Sequence, residues 1–409
     1  MTEQDRRAFL RTSAGAMALT VLPELAFGRP LRLDAPLTVG IVGAGRQGRA
    51  IMGELQKIGD VTIAAICDDD ARRLASGQRR AAGAKTYDTH TAMLDAETGL
   101  DAVIVATSTH EHRVVAIDAL QAGRNVYCEA PLAHTIEDAK AIAAAARQSS
   151  KVFMTGLHGR SNPVYQLART FFRSDSVRDL VSMSAQDNKK TTWRTPASGD
   201  RERKLNWRLD PGRCAGLAGE LATHQVDVMQ WYTDDVPVSV SGSGAIRFHD
   251  DGRTVPDTIA CTFTFPNGAT LQYGATLANS YGGRYEVLRG TNASIKLAWT
   301  HGWMFKEADA PTQGWEVYAN RQLFHKDEGI TLIAGATQLA EQGKLKEGVG
   351  LPYASLYYAL SDFLKSVGEG APVTCTADQG LRSTVVGILA NEAVTSGGTV
   401  TIDPAMLKS

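Results

Sequence analysis

Residues 38 to 48 read Thr38-Val39-Gly40-Ile41-Val42-Gly43-Ala44-Gly45-Arg46-Gln47-Gly48, a short apolar run that opens into a G-x-G-x-x-G turn and then the helix-forming stretch Arg49 to Leu55. Between a strand and a helix, the first glycine permits a tight turn and the second lets the backbone approach a pyrophosphate. The third lets the helix pack on the strand. Phosphates then sit at the helix N-terminus, where free N–H groups and the helix dipole favour an anion. Arg46 and Gln47 lie inside that turn. A second apolar run, Val61 to Ile66, ends in Asp68-Asp69-Asp70. Asp68 falls about 20 residues past the last glycine, where a carboxylate accepts hydrogen bonds from an adenosine ribose. Three acids there repel a 2′-phosphate, which favours NAD over NADP, although Arg72 and Arg73 follow closely.

Working outward, Asp101 to Thr107 and Asn125 to Cys128 read as further strands, while Ala92 to Leu94, Glu111 to Ala122 and Ile136 to Arg147 carry helix-period apolar spacing. Repeated β-α units predict a parallel doubly wound sheet, a Rossmann domain over 36–155. Ligands bind at the carboxyl ends of such strands. That places Thr107, Ser108, His110 and the Glu129-Ala130-Pro131 tripeptide beside the nicotinamide end of a cleft. Past residue 155 the pattern changes. Strand-like runs recur at Leu180 to Ala185, Val238 to Arg247, Thr258 to Phe265, Ala269 to Ala275, Tyr285 to Leu288 and Ser294 to Ala298, with turns at Pro266-Asn267-Gly268 and Gly282-Gly283. Their short connections predict an α+β domain with an open, mainly antiparallel sheet over 156–350. Thr300 to Gly350 reads as irregular, a lid or interface arm. Leu356 to Val367 and Gly380 to Thr395 read as helices and Thr399 to Ile402 as a strand, a segment (351–409) that returns to the first domain.

These residues resemble the Gfo/Idh/MocA superfamily, the glucose–fructose oxidoreductases, inositol dehydrogenases and their relatives. The resemblance runs from about Thr38 onward. It rests on the glycine turn, Cys67-Asp68, Ala106-Thr107-Ser108-Thr109-His110-Glu111-His112, Glu129-Ala130-Pro131, and Gly219-Glu220-Leu221-Ala222-Thr223-His224-Gln225-Val226-Asp227. It implies that the loop bearing His110 and His112 flanks the cofactor, that Glu220 contacts substrate, and that His224 is the general base or acid, carrying the proton transfer alone or with Glu220 as a second catalytic residue. It also implies a sheet face that packs on a second subunit, hence a homo-oligomer. In the family's dehydrogenases the tripeptide is Glu-Lys-Pro, whose lysine hydrogen-bonds the reacting sugar hydroxyl; Ala130 has no such group. A similar branch lacking this lysine comprises NAD-dependent glycosidases, which oxidise a hydroxyl, eliminate the aglycone, add water and return the hydride.

Glu220, His224 and Asp227 stand at i, i+4 and i+7 and share one face if the segment to Trp231 is a helix. Histidine suits proton transfer because its ordinary pKa lies near ~6.5. Arg160, Tyr165, Trp207 and Arg208 suit a sugar pocket, since aromatic faces stack on rings and guanidinium forks bind hydroxyls or carboxylates. Core packing for Trp207 and a surface ion pair for Arg208 are the competing readings. Lys189 and Lys190 are candidates to supply the missing ammonium. His110-x-His112 has no partner acids or cysteines at ligand spacing, so no metal is expected.

Residues 1–30 carry Arg6-Arg7-Ala8-Phe9-Leu10-Arg11 and a mildly apolar run from Ala14 to Leu22, which match a twin-arginine export signal too short to span a membrane. That route carries folded proteins, so the expected location is periplasmic, with the dinucleotide loaded before export. Away from the cytoplasmic NAD pool, the cofactor must stay bound and regain its redox state each turnover. Two chemistries meet that condition: a redox-neutral glycosidase, or a sugar oxidoreductase that exchanges hydride between two sugars. A non-catalytic sugar- or NAD-binding protein would also lose the lysine, but the retained Glu220 and His224 argue against it. With 409 residues, 43% hydrophobic and net charge −1, the chain suits a large two-domain core and no nucleic-acid partner. Its five scattered cysteines form no disulfide framework.

Overall fold

A computed structural model describes residues 31–409 except 314–315, 317–319, 325–326, 335–338 and 340–349; the side chains of 320–328 also fall outside it. The expected export signal at Arg6 and Arg7, and much of the expected lid or arm, lie outside the described residues.

The first domain alternates strand and helix: β1 (Arg32–Val42), α1 (Arg46–Leu55), β2 (Gly59–Cys67), α2 (Ala71–Arg80), β3 (Lys85–Tyr87), α3 (His90–Ala96), β4 (Ala102–Val105), α4 (His112–Gln121), β5 (Asn125–Glu129), α5 (Ile136–Gln148) and β6 (Phe153–Gly156). The strands form a six-stranded parallel sheet in the order β3-β2-β1-β4-β5-β6. Helices cover both faces, so Ala102 to Val105 is buried throughout and reads as an unbroken apolar run. This order reverses between β1 and β4, and the crevice at that switch point is where a ligand binds.

After α6 (Pro163–Arg173) come β7 (Leu180–Asn188), the short α7 (Asp200–Leu205), and a π turn over Ala218–Ala222 that runs into α8 (Thr223–Thr233). Strands β8 (Ser239–Ala245), β9 (Thr258–Thr264), β10 (Thr270–Thr276), β11 (Arg284–Gly290), β12 (Ala293–Ala298), β13 (His301–Lys306), β14 (Asn320–Phe324) and β15 (Asp327–Thr331) follow. Helices α9 (Ser355–Gly368) and α10 (Ala377–Ser396) and strand β16 (Thr399–Thr401) end the chain. The second sheet has ten strands in the order β14-β15-β13-β12-β11-β7-β10-β9-β8-β16, antiparallel except for the β7–β10 pair. Alternation sets its buried face: Ile259, Cys261 and Phe263 on β9 oppose Phe263-paired Leu271, then Tyr273 and Ala275 on β10.

Two differences from the sequence reading concern this sheet. Residues 301–306, 320–324 and 327–331 are strands that lengthen it rather than part of an irregular lid. Strand β16 pairs with β8 in the second sheet rather than returning to the first. Helix α9 does pack on the first domain, where Tyr357, Leu360 and Phe363 join Val39, Ile41 and Tyr127 in one cluster. No helix among the described residues is long and apolar enough to cross a membrane.

Candidate active site

The glycine turn shows a different steric reason at each glycine. Gly43 has φ +100°, and a Cβ there would lie 2.4 Å from the Ala106 carbonyl oxygen. A Cβ on Gly48 would lie 1.8 Å from the Gly43 carbonyl oxygen, so only glycine lets α1 seat on the turn. Gly45 faces space, with Arg73 no nearer than 3.9 Å. The N-terminus of α1 has no side-chain cap and no acid in its first turn. Its free N–H groups and the opening at Gly45 fit a pyrophosphate. Arg46 lines the same opening; burial and the nearby Arg208 push its guanidinium below its usual range.

Asp68 is buried, and its carboxylate accepts from Ala44 N at 2.7 Å and Asp70 N at 2.9 Å. It therefore ties β2 to the glycine turn at the edge where a ribose would lie. Burial pushes its carboxyl up, against those two N–H donors. The other two acids have partners on the second domain. Arg201 Nε donates to Asp70 Oδ2 at 2.5 Å, and Lys204 Nζ donates to Asp69 Oδ2 at 2.6 Å. Helix α7 thus clamps the adenosine end of the cleft, and two of the three acids are neutralised rather than free to repel a 2′-phosphate. Pairs with a solvated cation, as both of these are, contribute ~0.2–1 kcal/mol each. Replacing Arg201 and Lys204 together with serine is expected to speed dinucleotide release by up to about 30-fold, read by displacement with labelled NAD. An unchanged rate would show that cofactor exit does not require α7 to move.

The cleft holds about 1110 Å³, above the roughly 300–1,000 Å³ typical of sites for drug-sized ligands, so a dinucleotide and a sugar fit together. At its other end Gln47 Nε2 donates to Glu129 Oε1 at 3.1 Å, joining the glycine turn to the end of β5. A cis peptide precedes Pro131. His112 is buried with Nδ1 3.0 Å from the Pro131 carbonyl and Nε2 3.4 Å from the Thr107 carbonyl. It braces the two loops against each other, and burial holds its pKa below the usual imidazole range. Ser108 caps the turn that follows through Glu111. Thr107, Ser108, His110 and Ala130 line the cleft directly.

His224 projects from α8 into the cleft, and its Nδ1 has no hydrogen-bond partner among the described residues. Its ring centroid lies 5.7 Å from that of His158, whose Nε2 is 3.6 Å from Glu129 Oε1. Burial, then Arg284 and His158, hold His224 well below the ordinary imidazole pKa, so it stands as a neutral base. Glu220, on the π turn, is deeply buried. Thr109 Oγ1 donates to it at 3.0 Å, Arg208 Nε at 3.3 Å and Ala215 N at 3.3 Å. Burial raises its pKa against those donors. Arg208 in turn lies over Trp207, 4.4 Å from the ring, and over Trp193, 5.6 Å away. Glu220 therefore holds Arg208 at the cleft wall.

The structure removes three residues from the expected sugar pocket. Arg160 and Asp227 form a buried ion pair, with Nη2 2.8 Å from Oδ1, and Ser383 Oγ donates to the same carboxylate at 2.8 Å. His224 and Asp227 are three residues apart and so point about 60° apart around the helix; with the π turn before them, only Glu220 and His224 reach the cleft. Tyr165 is fully buried, donates to Glu286 Oε2 at 2.5 Å and accepts from Trp299 N at 3.2 Å. It supports the cleft-lining Trp299, a residue at φ +54°, from behind. Lys189 and Lys190 are exposed and outside the cleft, the latter 4.9 Å over Phe248. Sequence reasoning missed His158, Trp299 and Arg284, all of which line the cleft.

Comparison with known proteins accords with this geometry. The model of an oxidoreductase family with an NAD-binding Rossmann fold, the Gfo/Idh/MocA family, matches residues 37–157, and that of the Gfo/Idh/MocA C-terminal domain matches 188–296. The chain belongs to the Gfo/Idh/MocA family. As in that family, its first domain binds NAD. Levoglucosan dehydrogenase of Pseudarthrobacter phenanthrenivorans is 25% identical over 311 residues, 69% of this chain and 75% of that protein. A glycosyl hydrolase family 109 protein of Stenotrophomonas maltophilia is 34% identical over 151 residues, 34% of this chain and 32% of that protein. A solved levoglucosan dehydrogenase in complex with NADH shares the fold, with TM-score 0.72 and 20% identity over 90% of this chain and 99% of that one.

Proposed function

We propose that the cleft oxidises a sugar or glycoside hydroxyl transiently, in an exported, redox-neutral glycosidase that keeps its NAD between turnovers. When bound, NAD takes a hydride from the alcohol carbon and gives it back. The residues that would hold it are the glycine turn at its pyrophosphate, Asp68 at its ribose, and Thr107, Ser108 and Ala130 at its nicotinamide end. The observation that carries the proposal is His224 in the cleft, with His158 as its ring neighbour and Glu129 beyond, beside the lysine-free Ala130-Pro131 turn. His224 removes the hydroxyl proton and returns it at the end of turnover. Arg208, stacked on Trp207, offers a guanidinium edge to sugar oxygens. The α7 clamp supports cofactor retention, and similarity to a family 109 glycosyl hydrolase over about a third of the chain supports net hydrolysis.

Similarity to levoglucosan dehydrogenase favours a second reading, a sugar oxidoreductase that passes hydride from one sugar to another. Incubating the purified protein with aryl and natural glycosides in D₂O, without added NAD, separates the two. Aglycone release with deuterium at the carbon next to the oxidised one supports the glycosidase. Accumulation of a keto sugar without release supports the oxidoreductase and sinks the glycosidase.

The depressed His224 pKa gives a signed pH prediction. The base form persists below the ordinary value, so the acid limb of kcat/KM is expected below pH ~6.5. An acid limb at or above ~6.5 would contradict it. The stability sign follows the same group: between the folded pKa and ~6.5 the unfolded chain binds more protons, so stability falls as pH drops through that window.

A further inference from the structure

The Glu129-Ala130-Pro131 turn brings no cation to the reacting hydroxyl, yet a cation does reach this end of the cleft from the other domain. Arg284 opens β11, lines the cleft, and lies with its guanidinium 4.1 Å from the Trp299 ring centroid. Its Nε and Nη2 are buried and have no hydrogen-bond partner among the described residues. Asp187, opposite it in the β7–β11 register, comes to 3.5 Å from Nε. A guanidinium has five N–H donors, and a buried donor without an acceptor is costly. The group is therefore held beside Asp187 on one side and stacked on Trp299 on another, with buried N–H groups that lack an acceptor among the described residues.

Its position relative to His224 is fixed by the neighbouring residue on each element. Gln225, next to His224 and fully buried, donates from Nε2 to the Tyr285 carbonyl at 2.9 Å and to the Gln186 carbonyl at 3.0 Å. Tyr285 follows Arg284, and Gln186 precedes Asp187. One amide thus registers α8 against both strands that carry the Arg284–Asp187 pair.

We infer that Arg284 is a catalytic residue that donates to the reacting sugar oxygen while His224 takes its proton, the part played in Glu-Lys-Pro relatives by the lysine that Ala130 replaces. The inference rests on the reading of the cleft as a sugar-oxidising site. As the O–H bond breaks, the proton passes to His224 and negative charge grows on the oxygen before the carbonyl forms. A fixed guanidinium stabilises that charge, and its own charge opposes protonation of His224 in the resting site. Lys189 and Lys190 are excluded from the role by their exposure outside the cleft.

The test is an exchange of the cation between the two positions in the NAD-loaded full chain. Arg284→Met is expected to lower kcat on a turned-over aryl glycoside by roughly 10²–10³-fold, the scale of losing one donor to a developing oxyanion, with NAD retained. Arg284→Lys is expected to keep part of the activity. Adding Ala130→Lys to Arg284→Met is expected to recover kcat at least about tenfold, which a purely structural role for Arg284 would not allow. Histidine NMR on the same variants should show the His224 titration midpoint rising in Arg284→Met. A loss of less than about fivefold, or a large loss that neither lysine variant recovers, overturns the inference. If no glycoside reacts with the parent protein, the sugar-oxidation reading fails first. The His224 titration then still decides the pairing, and an unmoved midpoint overturns it.

Discussion

Replacing His224 with alanine is expected to lower the turnover of glycoside oxidation by about 10²–10⁴-fold, the usual contribution of a positioned general base. The side chain is the neutral imidazole of α8 in the cleft, with an Nδ1 that has no partner among the described residues and His158 as ring neighbour. His158 cannot simply take over, since its Nε2 faces Glu129 Oε1 at 3.6 Å. NAD content should not change, because the glycine turn, Asp68 and the α7 clamp lie at the other end of the cleft. Steady-state kinetics with absorbance of the bound dinucleotide checks both halves. Turnover within tenfold of the parent would remove His224 from the mechanism.

The largest expected effect on stability comes from the Arg160–Asp227 pair. Both side chains are almost completely enclosed, and Nε and Nη2 of Arg160 engage the two carboxylate oxygens of Asp227. Removing one partner leaves a buried charge alone, at a cost of roughly 3–5 kcal/mol. Asp227→Ala is therefore expected to lower the melting temperature on the order of 10 °C. Arg160→Met with Asp227→Leu should recover most of that loss, because a buried pair replaced by apolar groups of similar volume is often neutral. Arg160 lies two residues after His158 and Asp227 three after His224, so the pair also registers the two imidazoles. Asp227→Ala should lower activity at temperatures where it is still folded. A shift of only a degree or two in thermal denaturation would contradict the assignment of a buried charge.

What the sequence made legible was whatever local pattern controls. The G-x-G-x-x-G turn, the acid at the tip of β2 and the apolar run of β4 each have a local steric or hydration cause, and each stands where it was read. Spacing alone did not separate residues that face the cleft from those that face the core. Tyr165, Arg160 and Asp227 have the chemistry of a sugar pocket, but their partners Glu286 and Ser383 lie more than a hundred residues away in sequence. The helical i, i+7 rule also assumes an unbroken α-helix, and the π turn over Ala218–Ala222 breaks it.

His158 was within reach of the rule that ligands gather at the carboxyl ends of parallel strands, because it follows β6 on the same edge as Thr107 and Glu129. Arg284 was not. It follows a Gly282-Gly283 turn that marks a hairpin from sequence, but its place in the cleft depends on strand register with Asp187 and on the Gln225 bridge. The α7 clamp is likewise a contact between domains, invisible to any window of sequence. Strands β14 and β15 were hidden for another reason: they lie at one edge of the sheet, where polar and charged residues interrupt the alternation that marks inner strands.

Stopped-flow absorbance of the purified, NAD-containing protein mixed with a reactive glycoside measures the central claim most directly. A transient oxidation predicts that reduced nicotinamide rises and falls within one turnover, that no free NADH accumulates, and that the rise vanishes in His224→Ala. Aglycone release with no reduced nicotinamide at any time, and no deuterium uptake from solvent, would contradict the account.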